Sequence, residues 1–209
     1  MDFLTADSPE VKLEIKRSEF ICLIKHAESE SEAKDFIAAR KKLHSLATHN
    51  CYAYRVNEGG TERVRYSDDG EPQGTAGLPI LNVLKNKNFM NVVAVVTRYF
   101  GGIKLGGGGL VRAYSESAAN AAAVATVTRC VSCAEFEIAF SYENYKKFAA
   151  FRLPKLSVIR STEYSDKVTV RVAVELSAAD GFVADFDGFF CKRQPISRLT
   201  DVLHEFKKD

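Results

Sequence analysis

Residues 91–114 limit what this chain can fold into more than any other stretch. Residues 92–96, Val-Val-Ala-Val-Val, are continuously apolar and mostly β-branched, which predicts a strand buried on both faces. Beyond it six glycines fall between Gly101 and Gly109, where they admit positive φ or let another group approach the main chain closely. From Gly109 or Leu110 onward, Leu110, Ala113, Tyr114, Ala118, Ala121 and Ala125 recur at helical spacing, and the alanines give that helix a thin, closely packing side. A strand, a glycine-rich loop and a helix N-terminus in this order suit an anion, because unpaired N–H groups and the helix dipole both face the loop. Arg98, Lys104 and Arg112 add positive charge, and no acidic residue occurs between Asn91 and Ser115. The expected guest is negative, either a phosphate or a carboxylate from elsewhere in the chain; the plainer alternative is a tight turn with solvated cations. The stretch is neither a phosphate loop ending in Gly-Lys-Ser/Thr nor a dinucleotide Gly-x-Gly-x-x-Gly fingerprint.

Residues 67–76 form a second stretch with chemical potential: Asp68, Asp69 and Glu71 lie among two glycines and a proline, a composition of turns. The three carboxylates either bind a hard cation such as magnesium or answer Lys104 and Arg112 within the chain, and the second reading is preferred because the ligand spacing of a calcium loop is missing. Thr75 is a candidate cap for a helix from Ala76 to Lys85 that buries Leu78, Leu81 and Leu84. His49 has no second ligand at metal spacing, so a structural role is expected for it. Cys130 and Cys133 form the only Cys-x-x-Cys, and on a strand they point to opposite faces. Five cysteines in all fit free thiols better than a disulfide framework. No metal or cofactor is expected.

A net charge of +2 confines any basic surface to a local patch. With no signal-like start and no apolar run of bilayer length, a soluble, cytoplasmic chain with no membrane contact is expected. The first ten residues resemble a loose lead-in. Two strands then flank a bend at Arg17 and Ser18, and a helix capped by Ser29 or Ser31 buries Ala33, Phe36, Ile37 and Leu43 beneath a solvated charged face. A hairpin over residues 49–67 turns at Asn57 to Gly60, with Cys51 and Ala53 on one face and Tyr54 and Val56 on the other. After the alanine-rich helix the pattern reads strand (135–140), helix (142–153, stopped by Pro154), hairpin (155–176), Phe-rich helix (178–190) and strand (196–206). That β-α-β-β-α-β order is the order of a ferredoxin-like domain. The fold class is therefore α+β in two domains, 1–131 and 134–209, with no flexible linker between them.

The residues Gly-Thr-Ala-Gly-Leu-Pro-Ile-Leu at 74–81, Val-Thr-Arg-Tyr-Phe-Gly-Gly-Ile-Lys-Leu-Gly at 96–106 and Gly-Leu-Val-Arg-Ala-Tyr at 109–114 resemble the YigZ/IMPACT family, in its bacterial two-domain form. The resemblance implies an N-terminal domain with the fold of a ribosomal small-subunit protein and of domain IV of elongation factor G. It also implies a ferredoxin-like C-terminal domain and an association with regulation of translation. Eukaryotic members carry an additional N-terminal interaction domain, of which only a short lead stands before Glu19 here, so that partner mechanism is not transferred. Gly107 departs from the family, which usually has another small residue or proline there. The function expected from these readings is a non-enzymatic binder of RNA or the ribosome. Arg98, Lys104 and Arg112 would meet phosphates, Tyr99 or Phe100 would stack, and Gly101, Gly102, Gly106, Gly108 and Gly109 would offer main-chain donors. The alternatives are a metal-dependent enzyme acting on a phosphorylated small molecule, with Asp68, Asp69 and Glu71 as ligands, and a protein-partner adaptor using the C-terminal sheet or Phe-rich helix.

Overall fold

The computed structural model describes residues 2–191 and 194–207; residues 1, 208 and 209, at the ends of the expected domains, lie outside them. Two units are distinguished, Phe3–Thr128 and Arg129–Lys207. The first contains β1 (Phe3–Asp7), β2 (Val11–Ile15), β3 (Ser18–His26), α1 (Glu30–Leu43), β4 (His49–Glu58), β5 (Thr61–Ser67), α2 (Gly77–Asn86), β6 (Val92–Tyr99) and α3 (Gly107–Ala123). Its sheet runs β2-β3-β6-β4-β5. The sequence places the longest apolar run at the centre of that order, and the structure covers it on both sides: Val92 to Val96 are fully buried. Val92, Ala94 and Val96 face Ile80, Leu84, Leu110 and Tyr114 from α2 and α3. Val93 and Val95 face Ala33, Ile37, Tyr54 and Val56 on the α1 side. The expected faces of β4 hold. Ser29 caps α1, its Oγ accepting from Glu32 N at 3.1 Å.

Several expectations are corrected here. The supposed lead-in contains β1, tied down by Leu4 N–H to Asn88 O (3.2 Å) and Met90 N–H to Leu4 O (2.8 Å). Leu43 is 68% exposed, and the buried position near the end of α1 belongs to Arg40, whose guanidinium meets Glu10 at 3.0 Å. A charged helix face thus spends one of its cations inward. On α2, Ile80 is buried in place of the exposed Leu78. The alanine-rich helix starts at Gly107, so three of the six glycines are its first turn. Glycine propensity is too poor to announce a helix, but the first turn needs no intrahelical N–H bonds.

The second unit takes in most of β7 (Thr126–Phe140), then α4 (Tyr142–Phe148), β8 (Ser157–Tyr164), β9 (Val168–Glu175), α5 (Ala179–Phe189) and β10 (Ile196–Lys207). Its strands are ordered β10-β7-β9-β8, with β9 antiparallel to β7 and β8. α4 stops five residues short of the expected end at Leu153, and the following Phe151 and Leu153 pack on the core as irregular chain. Phe140, Phe148, Phe182 and Phe186 are buried together, so the Phe-rich helix α5 spends two of its three rings on this unit's own interior and leaves Phe189 exposed. Among the described residues no helix is long and apolar enough to cross a membrane.

Candidate functional site

The acidic loop between β5 and α2 folds back on itself, and each of its carboxylates is engaged. Asp68 accepts N–H bonds from Gly74 (2.8 Å), Ala76 (3.0 Å) and Gly77 (2.8 Å), and so does from a distance the capping that sequence assigned to Thr75. The Thr75 hydroxyl instead donates to Pro72 O at 2.6 Å. Asp69 takes Lys41 Nζ at 2.6 Å and Asn50 N–H at 2.7 Å. Glu71, buried, takes Arg98 Nη1 at 2.6 Å and the Tyr114 hydroxyl at 2.7 Å. The chain's acids therefore do answer its cations, but the cations are Lys41 and Arg98. The expected pairing with Lys104 and Arg112 is not made; both are exposed and have no acidic partner among the described residues.

Arg98 is consequently a buried, positioned cation, not the open phosphate contact that sequence suggested. Strand pairing sets it opposite Phe20 on β3 and His49 on β4. Its guanidinium lies 5.4 Å from the Phe20 ring centre and 5.5 Å from that of Phe100, and its Nε has no hydrogen-bond partner. Tyr99, one residue on, faces the other side of the sheet, where its hydroxyl meets His44 Nδ1 at 2.9 Å; this removes it from the site. Beneath Arg98 the Cys51 thiol lies 2.9 Å from Asp68 O and 3.4 Å from the Tyr114 hydroxyl. Burial raises the pKa of both Cys51 and Tyr114 above their ordinary values, so each stays protonated and neutral. His49 Nδ1 is 2.8 Å from Asp69 O, and a carbonyl can only accept, so Nδ1 carries a proton. Its Nε2 stands 3.8 Å from Glu71 Oε2.

Above this network opens a cleft of about 440 Å³ bounded by Thr48, His49 at the start of β4, Glu71, Arg98 and Phe100, and Lys104 with Gly106 and Gly107. The Phe100 ring is 47% exposed. The glycines there differ in what they need. Gly101 must be glycine for space, since a Cβ would come within 2.0 Å of the Arg17 carbonyl carbon, and Gly106, the N-cap of α3, has φ 71°. Gly107 and Gly108 have neither reason: a Cβ on Gly107 would touch only Thr75 Cγ2, at 4.0 Å, and one on Gly108 nothing within 4 Å. Each nonetheless forgoes alanine's helix propensity, a loss of up to about 1 kcal/mol in a helix interior and smaller in a first turn. Gly106 has no side chain, and the first N–H groups of α3 receive no side-chain cap.

One contributor escaped the sequence reading. The bend at Arg17 and Ser18 is a two-residue turn, Lys16–Arg17, closing the Ile15↔Ser18 pair, and it sits on Gly101, whose N–H donates to Ser18 Oγ at 3.1 Å. Spacing gave the turn but not its seat against the glycine loop, which only tertiary pairing of β3 with β6 creates.

The Impact N-terminal domain model matches residues 16–122, just over half of the chain. IMPACT family member YigZ of Escherichia coli (strain K12) is 33% identical over 177 residues, covering 84% of this chain and 87% of that one. YvyE of Bacillus subtilis (strain 168), also an IMPACT family member, is 50% identical over 115 residues, 55% of this chain and about half (52%) of that relative's length. A crystal structure described as that of a hypothetical protein superposes with a TM-score of 0.60 at 31% identity, covering 95% of this chain and 98% of the other. By the domain match and the near-full-length similarity to YigZ, this chain belongs to the IMPACT family.

Proposed function

We propose that this protein is a cytoplasmic, non-enzymatic RNA- or ribosome-binding protein acting in the regulation of translation, with the cleft at the N-terminus of α3 as its contact. One observation carries the reading: Gly107 and Gly108 leave the exposed first turn of α3 bare where nothing inside the chain requires it. Close approach of an external anion to the main chain accounts for that cost. Lys104 and Arg112, unclaimed by any acid among the described residues, supply the charge, and Phe100 supplies an exposed ring. The rest of the proposal concerns fold. The strand order β10-β7-β9-β8 of the second unit suits a ferredoxin-like domain, and we assign the first unit to the ribosomal-protein and elongation-factor G domain IV type. Against metal-dependent chemistry stand Asp68, Asp69 and Glu71, whose oxygens are already spent on N–H groups and cations of the fold. Against an adaptor role for α5 stands the burial of Phe182 and Phe186.

The test is binding of purified ribosomes and of structured RNA across a salt series. Replacing Lys104 and Arg112 together by alanine is expected to weaken binding and lower the log–log salt slope by roughly 1.4 to 1.8, at about 0.7 to 0.9 per lost phosphate contact. Unchanged affinity and slope in that variant would remove the proposal.

A further inference from the structure

The Lys16–Arg17 turn is an odd choice of residues for its geometry. Both are left-handed, with φ of 48° and 64°, a conformation that glycine, asparagine and aspartate adopt far more cheaply than long side chains do. Both side chains are exposed. The flanking acids Glu14 and Glu19 are register partners across the strands behind the turn, and Glu19 is held by Lys12 at 3.1 Å. Two cations are thus displayed at a strained tip. The tip is also fixed in place: it rests on Gly101, which has no room for a Cβ, and Ser18 at its base is buried, taking the Gly101 N–H and standing 3.4 Å from Arg98 Nη2. Gly101 is the neighbour of Phe100. Phe100 is thus next in the chain to the residue on which the Lys16–Arg17 turn is seated, and it shares the cleft with Lys104 and the bare first turn of α3. Arg98 under the ring is 5% exposed, borders the cleft and keeps an unpartnered Nε, although its charge is met by Glu71, which borders the same cleft.

We infer that this arrangement is a track for single-stranded nucleic acid: one phosphate at the N-terminus of α3, an unpaired base on Phe100, and the next phosphates at Lys16 and Arg17. The inference rests on the RNA-binding reading above and narrows it. A ring that stacks needs a base that is free of its partner, whereas a duplex offers backbone alone to a surface of this kind.

The experiment uses the full chain and a labelled oligouridylate of about twelve nucleotides, a length within the site sizes of single-strand binders, alongside an RNA duplex of equal length. Lys16→Asn/Arg17→Gly removes both charges while installing the pair of residues that this turn prefers, so folding is kept or improved. Expected are weaker binding of the single strand, a salt slope lower by about 1.4, and an unchanged or higher Tm. Phe100→Leu, apolar but unable to stack in the same way, is expected to weaken the single strand roughly tenfold and leave the salt slope alone. Binding by the turn variant with wild-type affinity and slope would overturn the inference, as would a duplex bound as tightly as the single strand. If Lys104→Ala still weakens RNA binding in either case, the broader reading survives; if the wild-type protein binds neither RNA, both fall.

Discussion

Arg98 shows how a residue can be recognised correctly as chemically important and still be given the wrong task. The sequence put a cation beside the glycine loop, and that much was legible. Which acid would meet it was not, because the meeting depends on β4 and β6 pairing in the register that sets His49 against Arg98 and on the acidic loop folding back over them. The Arg98 and Glu71 side chains are 6% and 4% exposed, so neither can lose its partner to water. Arg98→Met is expected to cost about 3–5 kcal/mol in urea denaturation, and Arg98→Met/Glu71→Leu measurably less, because an unpaired buried carboxylate is worse than an apolar pair. A single-variant cost below about 1 kcal/mol would contradict the pairing. His44 carries a pH dependence of its own. Burial, with Arg40 nearby, holds its imidazole below the usual 6.5, and Nε2 has no partner. The unfolded chain therefore takes up that proton first, and stability is lost as pH falls through 6.5 toward the folded-state value. His204 is shifted the same way by burial, so the measurement is the difference between wild type and His44→Gln, whose stability should fall less steeply over that window.

At the scale of elements, continuous patterns were read well and borrowed partners were not. Val92 to Val96 announced β6 by composition alone, and the spacing of Leu110, Ala113, Tyr114, Ala118 and Ala121 gave the buried side of α3. The start of α3 was missed because glycine has no propensity to signal, and β1 because it owes its place to Asn88 and Met90, far along the chain. The N-terminus of α2 belongs to the same class, since its cap is nine residues upstream of Gly77 in Asp68. Asp68→Ala leaves three N–H groups without an acceptor and is expected to cost about 2 kcal/mol. Hydrogen exchange at Gly74, Ala76 and Gly77 checks the mechanism: faster exchange confined to those amides and the first turn of α2 is expected, and unaltered exchange there would show that Asp68 is not the cap.

Over the whole molecule, 29 basic residues face 27 acidic ones, so no global field draws a nucleic acid in. What matters is which cations the fold leaves unclaimed, and composition cannot reveal that. The cysteines are more legible: an odd count suggested thiols outside any disulfide, and all five are so, with Cys22, Cys51, Cys130 and Cys133 buried and Cys191 exposed. Burial pushes the Cys22 thiol up to about 12 and Cys133 up to about 11. With an aromatic disulfide reagent at neutral pH, one thiol per native chain should react promptly, and the others only on unfolding; a second fast thiol would show that one of the buried four opens in the native state.

Because the opening turn of α3 is written in main chain, alanine scanning reports on it only through bulk: every replacement adds a methyl group in the path of the ligand and deletes no donor. Gly107 occupies the one position in that turn where proline is at home, and proline there would erase an N–H while keeping the helix. Recognition built this way also reads no side chain of its own, so selectivity among ligands has to come from the ring and the cations that border it.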